Sequence, residues 1–188
     1  MALTALDPHT ALIVVDLQKG IMGAQFVTPI APVIERSVAL IREFRSRRFP
    51  VVLVNVAGGA PGRTEEPRRY TGAFPDGFTD FIPEIDPQPT DIVVTKYSWG
   101  AFATTDLESR LKSAGVTQVV VIGVATGTGV ESTARQAYEA GFNVTLAIDA
   151  MTDTRPDAHA YSIRNVFPRL GETATAEDII NELAKRTI

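Results

Sequence analysis

The stretch Thr117-Gln-Val-Val-Val-Ile-Gly-Val-Ala-Thr-Gly-Thr-Gly-Val-Glu-Ser-Thr-Ala-Arg135 constrains this chain more than any other. Val119–Ile122 is an unbroken apolar run, the pattern of a strand buried on both faces inside a parallel sheet. A turn rich in Gly and Thr follows, from Gly123 to Gly129. From Val130 the period becomes helical, with Val130, Ala134, Ala137 and Tyr138 on one side, and Gly141 stops the helix. Strand, tight turn and helix is how an α/β enzyme presents a nucleophile beside the free N–H groups of a helix N-terminus. At the tip of this turn stands Gly129, which has no side chain.

The rest of the chain repeats the alternation. Ala11–Val15 reads as a first buried strand ending at Asp16-Leu-Gln18, and Pro29–Phe49 as an amphipathic helix. Val33, Ile34, Val38, Ile41 and Phe44 are its expected inner face, and Arg42, Arg45 and Arg47 its wet face. Pro50–Val56 and Asp91–Thr95 are the second and third strands. Between them Ala57–Pro89 is irregular, rich in Gly and Pro, and reads as a functional loop or a lid. Thr105-Asp-Leu-Glu108 has the form of a capping box opening a helix that closes at Gly115. After the central unit come a strand over Asn143–Ile148 ending at Asp149, a helix from Thr154 to about Arg169 with Pro156 near N1, a short strand over Glu172–Ala174, and a helix from Thr175. Such alternation predicts an α/β fold, a mainly parallel sheet with both faces covered. Its ligands bind beyond the carboxyl ends of the strands.

Composition narrows the function classes. A single domain over residues 1–188 is expected, and 45% apolar residues suffice for its core. A net charge of −4 offers no basic field to nucleic acid or anionic lipid. The apolar runs are too short to span a bilayer, and the N-terminus lacks the pattern of a signal peptide, so a cytoplasmic protein is expected. With no Cys there is neither thiol catalysis nor a thiolate metal site, and His9 and His159 lack ligand-like spacing. The expected partner is a small-molecule substrate, with no metal and no cofactor.

Three polar features fall just past strand ends: Asp16, Lys96 and the 123–129 turn. Alone, Asp16 reads equally as a loop carboxylate or N-cap, and Lys96 as a solvated strand-end lysine. Together they suggest a lysine that orients a partly buried carboxylate or keeps it ionised. Tyr97, Trp99 and Phe102 read either as loop anchors or as a substrate wall. The glycine turn has neither a following Lys-Ser/Thr nor G-x-G-x-x-G spacing, so nucleotide binding is not expected. Glu131 and Arg135 form an i,i+4 pair. His159 reads as a packing or capping residue, and Asp149 and Asp153 as strand-end and loop residues. Arg68 and Arg69 read as solvated loop arginines, or as contacts for an anionic substrate.

Val14-Val-Asp16-Leu-Gln18, Thr95-Lys96, Trp99-Gly-Ala-Phe102, Gly123-Val-Ala-Thr126 and Gly129-Val-Glu-Ser-Thr-Ala-Arg135 resemble, in order and spacing, the isochorismatase-like hydrolases. The resemblance covers essentially the whole chain. It implies a three-layer α/β/α sandwich on a six-stranded parallel sheet, in the order 3-2-1-4-5-6, and a homodimer or homotetramer. Most members are cysteine hydrolases of amides with an Asp–Lys–Cys triad, which the resemblance places on Asp16, Lys96 and position 129. It implies an oxyanion hole from the N–H groups of Ala125 and residue 129, and a cis Val124–Ala125 peptide. Gln18, Tyr97, Trp99, Phe102, Val124, Ala125, Thr126 and Thr128 are the implied substrate-binding residues.

Two departures follow. Asn55-Val-Ala-Gly-Gly-Ala-Pro carries no His where nicotinamidase-type members hold a metal, and glycine at 129 excludes acyl-enzyme chemistry there. Isochorismatases proper are similar at this spot, with glycine at the matching position, and hydrolyse a vinyl ether by acid catalysis. In that reading Asp16 is the proton donor, in a site that raises its pKa. Ala125-Thr126 and Val130-Glu-Ser-Thr-Ala-Arg look more like the amidohydrolase branch, so the substrate need not be isochorismate. A catalytically silent binding relative, and an amidohydrolase whose cysteine was replaced by glycine, are the competing readings.

Overall fold

The computed structural model describes residues 3–66 and 74–185, so Arg68 and Arg69 lie outside the described residues. Six parallel strands run in the order β3-β2-β1-β4-β5-β6, the order the family resemblance implies. They are β1 (Thr10–Val15), β2 (Val51–Val56), β3 (Ile92–Lys96), β4 (Gln118–Val124), β5 (Asn143–Thr152) and β6 (Glu172–Ala174). The helices are α1 (Lys19–Met22), α2 (Ile30–Ser46), α3 (Leu107–Ser113), α4 (Glu131–Glu139), α5 (Pro156–Tyr161), α6 (Phe167–Leu170) and α7 (Ala176–Ala184).

Strand period two divides the core into layers. Ala11, Ile13 and Val15 of β1 face Leu107 and Leu111 of α3, Ala134 and Ala137 of α4, and Phe167 of α6. Leu12 and Val14 face the opposite way, with Leu40, Ile41 and Phe44 of α2 and Ile179 and Leu183 of α7. β1 and β4 are buried at every residue because strands lie on both sides of them and helices cover both faces. Where β4 passes the end of β1 the backbones nearly touch. Gly123 has φ +113°, and a Cβ there would stand 2.1 Å from Val15 O, so only glycine fits.

Several local expectations are corrected. Tyr138 is 53% exposed, because the buried stripe of α4 is Thr133, Ala134 and Ala137. Arg45 is no free surface arginine: its guanidinium pairs with Asp91 at 2.5 Å and donates to Ile85 O, and Arg47 pairs with Glu43. The Thr105 hydroxyl receives Leu107 N at 3.2 Å, but no box closes there. The capping box stands at Thr175 and Asp178 instead, opening α7. β5 runs past Asp149 to Thr152, after a register shift against β4 between Val121 and Gly123. The helix from Pro156 is wound as a π-helix over Ser162–Val166 before α6.

The region read as a possible lid is, over residues 74–85, a packed strap. Lys19 N and Gly20 N donate to Asp80 O and Phe78 O, Gln18 bridges to Phe81, and Ile82 and Ile85 enter the core under α2.

Candidate active site

Asp16 follows β1 with φ +55°, a left-handed conformation that Asp tolerates better than most residues but that still costs about 1 kcal/mol. Its N–H is held by Val54 O at 2.9 Å, so the chain turns sharply against β2 and the carboxyl stays inside, 5% exposed. Lys96, the last residue of β3, is 1% exposed and reaches across β2. Its Nζ donates to Asp16 Oδ2 at 2.7 Å and to Ser98 O at 3.3 Å. Asp16 Oδ1 is buried and has no hydrogen-bond partner among the described residues.

Burial raises the Asp16 pKa to about 6, although the Lys96 ammonium pulls it down. The native state therefore holds a proton that the unfolded chain, with an ordinary Asp near 3.8, gives up. Protonation of Asp16 stabilises the fold fully below the unfolded value, and that gain is lost as the pH rises through 6. Two pKa units correspond to about 3 kcal/mol. Between pH 4 and pH 7 the wild type should lose about 2 kcal/mol of unfolding free energy relative to Asp16→Asn, the remainder of the gain lying below pH 4. Urea titrations of both proteins across this range check it; parallel pH curves would contradict the assignment.

The third position is Gly129. It lies in a π-helix over Thr126–Val130, and its φ is not in the left-handed region. A Cβ built on it would stand 3.2 Å from Asp16 Oδ2, 3.1 Å from Val124 O and 3.1 Å from Val15 Cγ1. Asp16, Lys96 and Gly129, chosen from the sequence, thus meet at the carboxyl ends of β1, β3 and β4. The Val124–Ala125 peptide is cis, as the resemblance implied. Thr128 N and Val130 N both donate to Ala125 O at 3.1 Å, and Gly127 N donates to Asp153 at 2.7 Å.

The other site residues divide. Gln18 is fully buried and spent on the backbone: Nε2 donates to Val56 O and Phe78 O, and Oε1 accepts Val56 N at 2.7 Å. It pins the strap to β2, with both ends of its amide engaged by backbone. Phe102 is 8% exposed, sits in the α3–α4 core beside Phe142 and is a loop anchor, its N–H held by Gln136. Tyr97 and Trp99 are open to solvent, 55% and 65% exposed, on the loop that follows Lys96. The Val124 side chain is buried in the α2 core, and Thr128 is half-buried in the turn.

The sequence reading missed what lies behind the turn. Asp153, 1% exposed, accepts Gly127 N and Arg155 N, and His159 Nδ1 is bonded to Thr126 Oγ1 at 2.8 Å. Extending β5 to its true end would have brought Asp153 level with the other strand-end residues. Glu131 holds Arg135 at 2.9 Å, as its spacing suggested, and also accepts the Ser162 hydroxyl. Among the described residues no three His, Asp or Glu side chains gather as a metal-holding group, and no helix is long and apolar enough to cross a membrane.

Residues 10–178 match the protein family described as the isochorismatase domain. YwoC of Bacillus subtilis, an uncharacterized isochorismatase family protein, is 37% identical over 180 residues, covering 93% of this chain and 94% of its own. The ureidoacrylate amidohydrolase RutB of Methylobacterium radiotolerans is 30% identical over 193 residues, covering 86% of this chain and 75% of its own. A solved isochorismatase family protein from Burkholderia thailandensis superimposes with a TM-score of 0.91 at 36% identity, covering 96% of this chain and 98% of that one.

Proposed function

The chain belongs to the isochorismatase family of hydrolases, and on that premise we propose that it cleaves a small acid-labile substrate, a vinyl ether or a close relative, by proton transfer from Asp16 without a covalent intermediate. The observation that carries this reading is the division of the Asp16 carboxyl. Oδ2 is anchored by Lys96, whereas Oδ1 is buried with no protein partner among the described residues. A carboxyl whose pKa stands near 6 and whose free oxygen can carry the proton is suited to general acid catalysis at physiological pH.

For a vinyl ether the steps balance as follows. The proton on Asp16 Oδ1 moves to the terminal alkene carbon, the π pair forms the new C–H bond, and the electron deficiency left on the ether carbon is met by a lone pair of the ether oxygen as an oxocarbenium ion. Water adds to that carbon, and the hemiketal collapses to an alcohol and a carbonyl compound; of the two protons the water brought, one passes to the departing oxygen to complete the alcohol and the other returns to Asp16. Lys96 holds the carboxylate left after transfer. The N–H groups of Ala125 and Gly129 are assigned to substrate oxygens, since those of Gly127, Thr128 and Val130 are already committed. The amide hydrolysis named for RutB is not carried over as an acyl-enzyme route, because position 129 supplies no nucleophile.

The test incubates the protein with isochorismate and follows pyruvate, with nicotinamide and N-carbamoyl amides assayed in parallel for ammonia. Pyruvate release without ammonia is the expected result. Ammonia release from the amides, with isochorismate untouched, would replace the proposal with direct amide hydrolysis.

A further inference from the structure

The turn that carries Gly129 is gripped from behind by α5 and the segment leading into it. Three contacts make the grip. Asp153 accepts Gly127 N at 2.7 Å. His159 Nδ1 meets Thr126 Oγ1 at 2.8 Å, and Thr126 is fully buried. α5 also lies against the turn backbone, since a Cβ on Gly127 would come within 3.0 Å of Ala158 Cβ. Thr126 directly follows Ala125, whose carbonyl accepts Thr128 N and Val130 N. A change at Thr126 is therefore felt through the whole loop between Ala125 and Gly129.

We propose that His159 is a positioning residue, which sets the 125–129 turn through Thr126 and loosens it when its imidazole is protonated. This rests on the reading of the turn as the substrate-facing part of the site. In the neutral ring, with its hydrogen on Nε2, Nδ1 accepts the Thr126 hydroxyl proton. A second proton on Nδ1 ends that acceptance, and the buried hydroxyl must turn its hydrogen elsewhere. The turn itself, Thr126–Val130, contains no ionisable side chain. The charged groups around His159 are Asp153 at the end of β5, Arg155 and Asp157 on its own segment, and Glu131 of α4, which reaches Ser162 one turn further on. Asp153 favours the imidazolium, while burial disfavours it more and lowers the His159 pKa below 6.5. An imidazolium drawn towards Asp153 competes with Gly127 N–H for the same carboxylate, which loosens the turn at a second point.

The test uses the backbone amide and imidazole nitrogen signals of the whole protein across the pH range 5 to 8, in the wild type, His159→Asn, His159→Ala and Thr126→Val. Asp16→Asn is the background that removes the titration of Asp16. The expected result is that the amides of Ala125, Gly127 and Gly129 shift with the midpoint of the His159 ring, also in Asp16→Asn. That shift disappears in His159→Asn, whose side-chain oxygen can take the Nδ1 position without a titrating charge, and in Thr126→Val. Where the protein turns over a substrate, His159→Ala should lower kcat about tenfold or more, and His159→Asn should recover most of it. Turn amides that ignore the His159 midpoint would overturn the proposal, whatever the substrate assay shows. Absence of turnover with the amide coupling intact would count against the acid-catalysis reading alone.

Discussion

Asp16→Asn should lower turnover of an acid-labile substrate about a thousandfold while leaving the fold in place. The exchange is nearly isosteric, and Asn Oδ1 can still accept from Lys96, which stands 2.7 Å from Asp16 Oδ2. What is lost is the ionisable oxygen. The pH dependence identifies the role. With a pKa near 6, about one Asp16 in ten is protonated at pH 7. If the protonated form is the active one, kcat/KM is level below pH 6 and falls about tenfold per unit above it. The residual rate of Asp16→Asn should show no such limb. A rate that rises through pH 6 would make Asp16 a base that activates water, and an unchanged Asp16→Asn rate would remove it from the chemistry. Circular dichroism of the variant separates loss of the proton from loss of the fold.

The parts of this site legible in the sequence are those that strand ends dictate. An apolar run that stops at a charged residue places that residue at the rim of a parallel sheet, which is why Asp16 and Lys96 stood out. Their meeting needed topology as well. β3 and β1 are not neighbours, and Lys96 closes the gap because its side chain is long enough to cross β2. The two-sided burial of β1 and β4 was equally legible, because a strand with no wet face cannot alternate.

Other features were hidden for identifiable reasons. Gln18 lies beside Asp16 in a motif, and nothing local shows that both ends of its amide are taken by the backbone of β2 and of a strap sixty residues away. Asp149 looked like the end of β5 because it is charged. It lies inside the strand, where it accepts Ala176 N and pairs with Arg36. That displaced end concealed Asp153, and with it the grip on the turn. His159 is bonded to a residue 33 positions earlier, so no window on its own helix could reveal the partner. The Thr105 box failed where the Thr175 box succeeded: the Thr105 hydroxyl donates to Ala101 O, whereas Asp178 at N3 closes the reciprocal bond to Thr175.

Gly129→Cys should cost stability and acid-catalysed turnover together. The φ of Gly129 suits any residue, so the penalty is steric rather than conformational. The added Cβ meets Val124 O and Val15 Cγ1 at 3.1 Å and Asp16 Oδ2 at 3.2 Å, closer than ordinary van der Waals contact. Val124 is a strand residue with no freedom to retreat, and Val15 lies on the buried β1, so Asp16 must give way. Overpacking of this kind costs about 1–3 kcal/mol. A shift of a few tenths of an ångström in Asp16 also disturbs its bond to Lys96 and the direction of its free oxygen. Turnover of the acid-labile substrate is therefore expected to fall about a hundredfold, with the urea midpoint lowered and no amidase activity gained. The opposite outcome is equally readable. If Gly129→Cys keeps its stability, reacts with iodoacetamide and hydrolyses N-carbamoyl amides, then Asp16 and Lys96 are set to activate a thiol. The glycine is then the loss of a nucleophile rather than the shape of a site built to work without one.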